Sequence, residues 1–124
     1  MNKTKMKIPD DWTFKSQDIA AHFDQHVKEQ LPWYDLITKV IVCIARHYIE
    51  SNGLVYDIGC STGNITRAIY SAVEKRNACF VGIDDSKEME MFFPEDIGEF
   101  VLADACQYSY ESFDLAVCYL FMQF

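Results

Sequence analysis

Four short apolar runs, each ending in polar or acidic residues, most limit what this chain can fold into. They are LVYDIGC (54–60), CFVGIDD (79–85), EFVLADA (99–105) and FDLAVCYLF (113–121). Their apolar residues are nearly continuous instead of alternating with polar ones, which is typical of strands buried on both faces of a parallel sheet. Helical patterns separate the first three runs, so the sequence predicts an α/β fold with a doubly wound layer.

Two helices are predicted before the first strand. Segment 16–31 begins with Ser16, a suitable N-cap, and is ended by Pro32. Its apolar residues Ile19, Phe23 and Val27 are four apart. Segment 35–50 has an apolar stripe of Leu36, Val40 and Ile44, joined by Ile37, Ile41 and Tyr48. Residues 1–11 are expected to form a loose arm.

The connections between the strands also carry clear signals. Ile65, Ile69 and Val73 lie on one face of a helix between the first two strands. After the second strand, Ser86 is expected to cap a short helix over 87–93, and Pro94 ends it. Little room remains for a helix between the third strand and the fourth.

Composition limits the domain count and the classes of partner. The chain has 124 residues, which predicts a single domain over 1–124, and its net charge of −8 argues against nucleic-acid and membrane partners. Its five cysteines are dispersed and form no C-x-x-C pair. They predict reduced, buried thiols in a cytoplasmic protein, and no cysteine and histidine cluster predicts a metal site.

Acidic residues occur where three of the predicted strands end. The carboxyl ends of parallel strands meet at one edge of a sheet, and that edge is where ligands bind in open α/β folds. Gly59 and Gly63 allow a tight turn and close backbone approach to a ligand there. The backbone amides of 60–62 are expected to be free at the start of the next helix. The acids at this edge are Asp57, Asp84, Asp85 and Asp104.

The chemistry of the glycine loop indicates which ligand this edge accepts. Its spacing is G-C-S-T-G, which is neither the dinucleotide fingerprint nor a phosphate loop with its lysine. Asp57 would repel a phosphate but favour a cationic sulfonium or ammonium group. Asp84, at the end of the next strand, can accept both hydroxyls of a ribose, and Asp104 can accept from an adenine amino group. Together these features fit S-adenosylmethionine (SAM).

Four successive segments resemble the motifs of class I SAM-dependent methyltransferases. They are VYDIGCSTGN, GIDDSKEM, VLADA and FDLAVCYLFMQF. The resemblance implies a Rossmann-like sheet in the strand order 3-2-1-4. It also implies that the first motif cradles the methionine part, that Asp84 holds the ribose within a D-x-S-x-x-M pattern, and that the acid after the third strand flanks the adenine.

The sequence also resembles the carboxy-SAM synthases more narrowly. DWTF (11–14), LPWY (31–34), VYDIGCS and the closing QF carry this similarity. Those enzymes make a carboxylated SAM from prephenate, so SAM, S-adenosylhomocysteine or carboxy-SAM is the ligand that the resemblance implies. At Tyr119 the family has an asparagine instead. Matching positions place the ligand contacts at Tyr34, Gly59, Cys60, Ser61, Asp84, Asp85, Asp104 and Ala105.

The resemblance covers about the first half of the family's fold, and the C-terminal half is expected to be absent. No catalytic residue can be assigned, because the substrate-binding part of the family follows the fourth strand. A SAM-dependent transferase is therefore the first reading. The alternative is a non-catalytic SAM-binding or interaction module that pairs through the exposed fourth strand, 113–124, with a second copy or another protein.

Overall fold

A computed structural model describes residues 32–119, so the predicted arm, the predicted helix over 16–31 and residues 120–124 lie outside the described residues. Within that range, the helices and strands alternate after the first helix. They are α1 (Tyr34–Tyr48), β1 (Leu54–Ile58), α2 (Asn64–Val73) with a 3-10 turn (Glu74–Arg76), β2 (Cys79–Asp84), α3 (Lys87–Glu90), β3 (Glu99–Leu102) and β4 (Leu115–Val117).

The four strands form one parallel sheet in the order β3-β2-β1-β4. This arrangement confirms the predicted Rossmann-like α/β fold and its strand order. At the centre, Val55 of β1 lies beside Phe80 of β2 and Leu115 of β4. Strands β2 and β3 are added on one side of β1, and β4 is added on the other side. This change of side creates a switch point of the kind where open α/β sheets bind ligands.

The helices α1 and α2 cover one face of the sheet and form the main core. Successive strand residues point to opposite faces, so Val55 and Asp57 share the helical face while Tyr56 points away from it. The buried members of the core are Ala45, Ile49, Val55, Ile65, Ile69, Val73, Phe80 and Val117. The predicted face of α2, which carries Ile65, Ile69 and Val73, is therefore confirmed.

The segment between β3 and β4 packs aromatic rings against the other face of the sheet. Tyr56 is buried there, and the rings of Tyr108, Tyr110 and Phe113 lie with centroids 6.0, 5.0 and 5.6 Å from its own. Its hydroxyl accepts a hydrogen bond from the amide of Glu111 at 3.0 Å. These contacts allow a segment without a helix to cross the sheet between β3 and β4.

The guanidinium of Arg76 caps the C-terminal end of α1. Arg76 donates from one nitrogen to the carbonyl oxygens of Arg46 and Ile49, both at 2.7 Å. These carbonyls belong to the end of a helix, where no later amide is available to pair with them. A cation at this end also complements the helix dipole.

The apolar stripe of α1 is not the face that the helix buries. Leu36, Val40 and Ile44 are 62%, 45% and 51% exposed, whereas Tyr34 and Ala45 are buried. The helix is apolar around more than half of its circumference, so periodicity alone could not identify the face that meets α2 and β4.

The structure also corrects two smaller expectations. Of the five cysteines predicted to be buried, Cys60 alone is buried, and the other four are exposed on α1, at the start of β2 or in segments near the sheet edges. The helix α3 is shorter than 87–93. Ser86 occupies its N-cap position without a side-chain cap bond, and its hydroxyl donates instead to Glu88 at 3.2 Å.

Candidate functional site

The glycine loop between β1 and α2 folds back onto the end of β2. The backbone angle φ is 69° at Gly59 and 85° at Gly63, a region that glycine enters without strain. Ser61 also has a positive φ, 52°, so a side chain is held in a conformation that it rarely adopts. The amide of Gly63 closes the turn by donating to the carbonyl of Cys60 at 2.9 Å.

The amides of Cys60 and Ser61 are not free, which corrects the expectation of free loop amides at these two residues. The amides of Gly59 and Cys60 donate to the carbonyl of Ile83 at 2.7 and 3.1 Å. The amide of Ser61 donates to Asp84 Oδ2 at 2.9 Å, and Thr62 is buried and also has an interaction partner. Because these donors face β2, they are not arranged as a cradle for phosphate oxygens.

Asp57 is buried beneath this loop, at 4% exposure. Its Oδ2 accepts the hydroxyl of Thr66 at 2.8 Å, and its carboxyl also accepts the Thr66 amide. The N-cap of α2 is Gly63, which has no side chain, so Asp57 caps the helix from the neighbouring strand. Burial raises its pKa to about 7, although the Thr66 bonds lower it, and the Asp84 carboxylate raises it further. Because Asp57 is buried, any effect that it has on a ligand would act through its charge and not through direct contact.

The raised pKa of Asp57 predicts that the protein loses stability as the pH rises. The folded state holds a proton up to about pH 7 that the unfolded state releases near the ordinary aspartate pKa of 3.8. The free energy of unfolding should therefore fall between about pH 4 and 7, by an order of about 4 kcal/mol from this group. Urea unfolding across this range checks the slope.

The variant Asp57→Asn provides the comparison, because its amide oxygen can still accept from Thr66 and carries no charge. Asp84 also has a raised pKa and gives a slope of the same sign, so the test depends on the difference between variant and parent. An unchanged slope in Asp57→Asn would contradict the assignment.

Asp84 ends β2 and holds the two segments that flank it. Its Oδ2 accepts the amide of Ser61 and its Oδ1 accepts the amide of Ser86, both at 2.9 Å. Burial raises its pKa, these amides lower it, and the neighbouring charge of Asp85 raises it again. Each carboxylate oxygen has a second lone pair, so Asp84 can still accept from a ligand hydroxyl.

A groove of about 390 Å³ lies beside Asp84, between the ends of β2 and β3. It brings together two of the acids singled out in the sequence, Asp85 and Asp104, with the half-exposed Leu102 between them. Asp104 is exposed and accepts the amide of Cys106 through Oδ1 at 2.9 Å. The volume is in the range of small-molecule sites, and an apolar side chain flanked by acceptors suits a flat base with an amino group.

The structure brings Tyr34 and Tyr119 together, although 84 residues separate them. Their rings stack with centroids 5.3 Å apart, at the start of α1 and just after β4. The Tyr119 hydroxyl is buried, and burial raises its pKa, whereas its interaction with the Thr38 side chain lowers it. Neither ring lines the groove. Ala105, another carried-over position, accepts the Tyr110 hydroxyl on its carbonyl at 2.8 Å.

Sequence reasoning missed several residues that shape the site. Gly82 lies in β2, and a Cβ there would be 2.6 Å from the Phe93 ring and 2.8 Å from Cys60 Sγ. A glycine inside a strand could have signalled this close approach. Thr66 and Arg67 carried no such signal, because polar residues are common on exposed helix faces.

The described residues include no group of three or more metal-binding side chains positioned to hold a metal ion. Over the same residues, no helix has the length and apolar character needed to cross a membrane. Burial raises the pKa of the Cys60 thiol, and the carboxylates of Asp57 and Asp84 raise it further. This thiol therefore stays protonated and is a poor nucleophile.

Comparison with known proteins identifies a matching domain family and several curated relatives. Residues 55–124 match the family described as a methyltransferase domain. The carboxy-S-adenosyl-L-methionine synthase of Staphylococcus epidermidis is 42% identical over 88 residues, which are 71% of this chain and 38% of the relative. The synthase of Shewanella pealeana is 31% identical over 114 residues, 86% of this chain and 47% of the relative. The chain thus spans less than half the length of these relatives.

Solved structures share the fold at low sequence identity. The plantazolicin methyltransferase BpumL, in complex with a pentazolic desmethylPZN analog and SAH, superposes with a TM-score of 0.62 at 18% identity. The match covers 83% of this chain and 42% of that one. Coclaurine N-methyltransferase, bound to N-methylheliamine and SAH, gives a TM-score of 0.53 at 19% identity over 65% of this chain and 25% of that one.

Proposed function

Because this chain belongs to the methyltransferase domain family, we propose that it binds S-adenosylmethionine and supports a group transfer of the methyltransferase or carboxy-SAM synthase type. One observation carries the proposal: the glycine loop of β1 is bonded directly to the acid that ends β2, beside a groove lined by three further acids and one lysine. These groups lie at the carboxyl ends of neighbouring parallel strands, where an open α/β sheet binds its ligand.

Each part of the nucleoside has a matching region in this arrangement. The turn at Gly59, Cys60, Ser61 and Gly63 is proposed to hold the methionine part. Asp84 is proposed to accept the ribose hydroxyls. The groove with Asp85, Leu102 and Asp104, together with the adjoining Ala105, is proposed to take the adenine. S-adenosylhomocysteine and carboxy-SAM share these parts and would bind in the same way.

The charge of the site favours a cationic ligand over a phosphate. The Asp84 carboxylate raises the pKa of Asp57, and both carboxylates raise the pKa of the Cys60 thiol, so each disfavours ionisation of the acidic groups around it. A sulfonium or ammonium group nearby would relieve this repulsion, whereas a phosphate would add to it. The loop amides face β2, which further supports a ligand without phosphate.

The chemistry expected of this chain is positioning. The carbon that is transferred is already activated by the sulfonium when SAM is bound, so orientation of the two reactants and exclusion of water supply much of the rate. Asp84 and the glycine loop would fix the nucleoside, and Tyr34 and Tyr119 are proposed to line its methionine end. No residue is assigned to the acceptor.

Isothermal titration calorimetry with SAM and with S-adenosylhomocysteine tests the proposal. Both are expected to bind, and ATP is expected not to. A cationic ligand should favour the ionised carboxylates, so SAM binding near pH 6.5 should release protons, detected as a heat that changes with the ionisation enthalpy of the buffer. Absence of heat with both SAM and S-adenosylhomocysteine would refute the proposal.

The open edge of the sheet supports a second proposal about partners. Within residues 32–119, β4 pairs with β1 on one side and with no strand on its other side. An unpaired edge strand is a template for β-augmentation. We propose that a second copy or another protein pairs along 113–124.

Light scattering after size exclusion tests self-pairing. It should show a dimer that an Ala116→Pro variant weakens, and a monomer at high concentration would exclude self-pairing.

We also propose a cytoplasmic location. Four of the five cysteines are exposed as free thiols. Exposed free thiols persist in a reducing compartment and are oxidised outside it. The four exposed cysteines are Cys43, Cys79, Cys106 and Cys118.

A further inference from the structure

Arg67, on the first turns of α2, joins two segments that border the proposed nucleoside site. One guanidinium nitrogen donates to the carbonyl of Thr62 in the glycine loop at 2.7 Å. The other donates to the carbonyl of Phe92, after α3, at 2.6 Å. The first nitrogen also approaches Asn64 Oδ1 at 3.5 Å. Arg67 therefore bonds to backbone carbonyls from two different connections of the fold.

These two connections are also in direct contact beside Arg67. A Cβ at Gly63 would be 2.6 Å from Pro94 Cδ and 2.8 Å from the Phe93 ring, so the backbone of the loop touches the segment after α3. The rigid fork of an arginine side chain can satisfy two acceptors in fixed directions, which a flexible ammonium cannot. The contact and the two hydrogen bonds fix the spacing between the loop and this segment.

The same loop supplies the amide that binds Asp84. Ser61, which donates to Asp84 at 2.9 Å, directly precedes Thr62 and has a strained positive φ of 52°. A residue in this conformation persists only when its surroundings hold it in place. Because Arg67 fixes the carbonyl of the next residue, it is well placed to hold Ser61 in that conformation.

We infer that Arg67 is a positioning residue that clamps the glycine loop to the segment after α3 and so keeps Asp84 and the loop in the arrangement that binds the nucleoside. This inference rests on the proposed function. It concerns a residue that touches no proposed ligand group, and it predicts effects on the loop in the ligand-free protein as well as on binding.

The test compares Arg67→Met with Arg76→Met. Arg76 is a matched control because it also donates to two backbone carbonyls, at 2.7 Å each, but at the far end of α1. Hydrogen exchange by NMR, without ligand, should show the Ser61 and Gly63 amides exchanging about 10-fold faster in Arg67→Met. The Ile49 amide, which donates to Ala45, should be unchanged in that variant.

The affinity for S-adenosylhomocysteine should fall about 10-fold in Arg67→Met and stay within about 2-fold of the parent in Arg76→Met, even if both variants lose similar stability to urea. Uniformly faster exchange across the sheet, or equal losses of affinity in both variants, would overturn the inference. Full rescue by Arg67→Lys would also overturn it, because charge alone would then suffice. If the parent protein does not bind the nucleoside, the proposed function fails, while the exchange data still test the clamp.

Discussion

Replacing Asp84 by asparagine is expected to weaken binding of S-adenosylhomocysteine by at least about 100-fold, which corresponds to about 2.7 kcal/mol. Two hydrogen bonds from ribose hydroxyls to a carboxylate contribute on the order of 1.5–3 kcal/mol each. In the parent protein, the amides of Ser61 and Ser86 both donate to the Asp84 carboxylate. The NH2 group of asparagine would face one of these donors and could not accept its hydrogen bond. The loop at the site should therefore be less ordered. Calorimetry measures the affinity.

Asp96→Asn is the matched control for this experiment, because Asp96 is exposed in the turn after α3 and the charge change is the same. It should bind within about 2-fold of the parent, and circular dichroism should show both variants folded. An Asp84→Asn protein that binds as tightly as the parent would place the ribose elsewhere and would remove the main support for the proposed site.

Adding a single methyl group at Gly82 is expected to lower the free energy of unfolding by about 2 kcal/mol. The new Cβ of Gly82→Ala would lie 2.6 and 2.8 Å from two atoms of the Phe93 ring and 2.8 Å from Cys60 Sγ, all in a packed interior. Buried rings cannot move aside without displacing the segment after α3. Thermal unfolding should show a midpoint lowered by about 7 °C.

The double variant Gly82→Ala/Phe93→Leu identifies the cause, since leucine lacks the outer ring atoms that the methyl group meets. Phe93→Leu alone should be destabilising through lost packing, but the double variant should be more stable than the sum of the two single effects predicts. Strict additivity would mean that the ring of Phe93 is not what the methyl group meets.

Local patterns predicted the main elements because they depend on short-range chemistry. The acids at the carboxyl ends of β1, β2 and β3 belong to apolar runs typical of buried parallel strands, and the glycine turn was recognisable from Gly59 and Gly63. Parallel strands align their carboxyl ends, so the pattern indicated that these acids meet at one edge of the sheet. The assignment of individual ligand contacts remains a prediction.

The same patterns could not show how polar groups pair across the fold. Asp57 was expected to act on a ligand charge, and no local pattern indicated that it is also buried and caps α2 through Thr66. The loop amides were expected to be free, but they bond to Ile83 and Asp84 of the next strand. A sequence displays donors and acceptors without distances, so it cannot assign the pairs that form between connections far apart in the chain.

The sequence by itself determined the α/β class, the order of elements from α1 to β4 and the edge of the sheet where acids gather, because periodicity and glycine turns are local properties of the backbone. Tertiary structure alone decided the buried face of α1, the stacking of Tyr34 on Tyr119, the close contact at Gly82 and the two carbonyls that Arg67 joins. These features arise where segments distant in sequence meet, and packing in three dimensions selects among contacts that the local pattern leaves equally available.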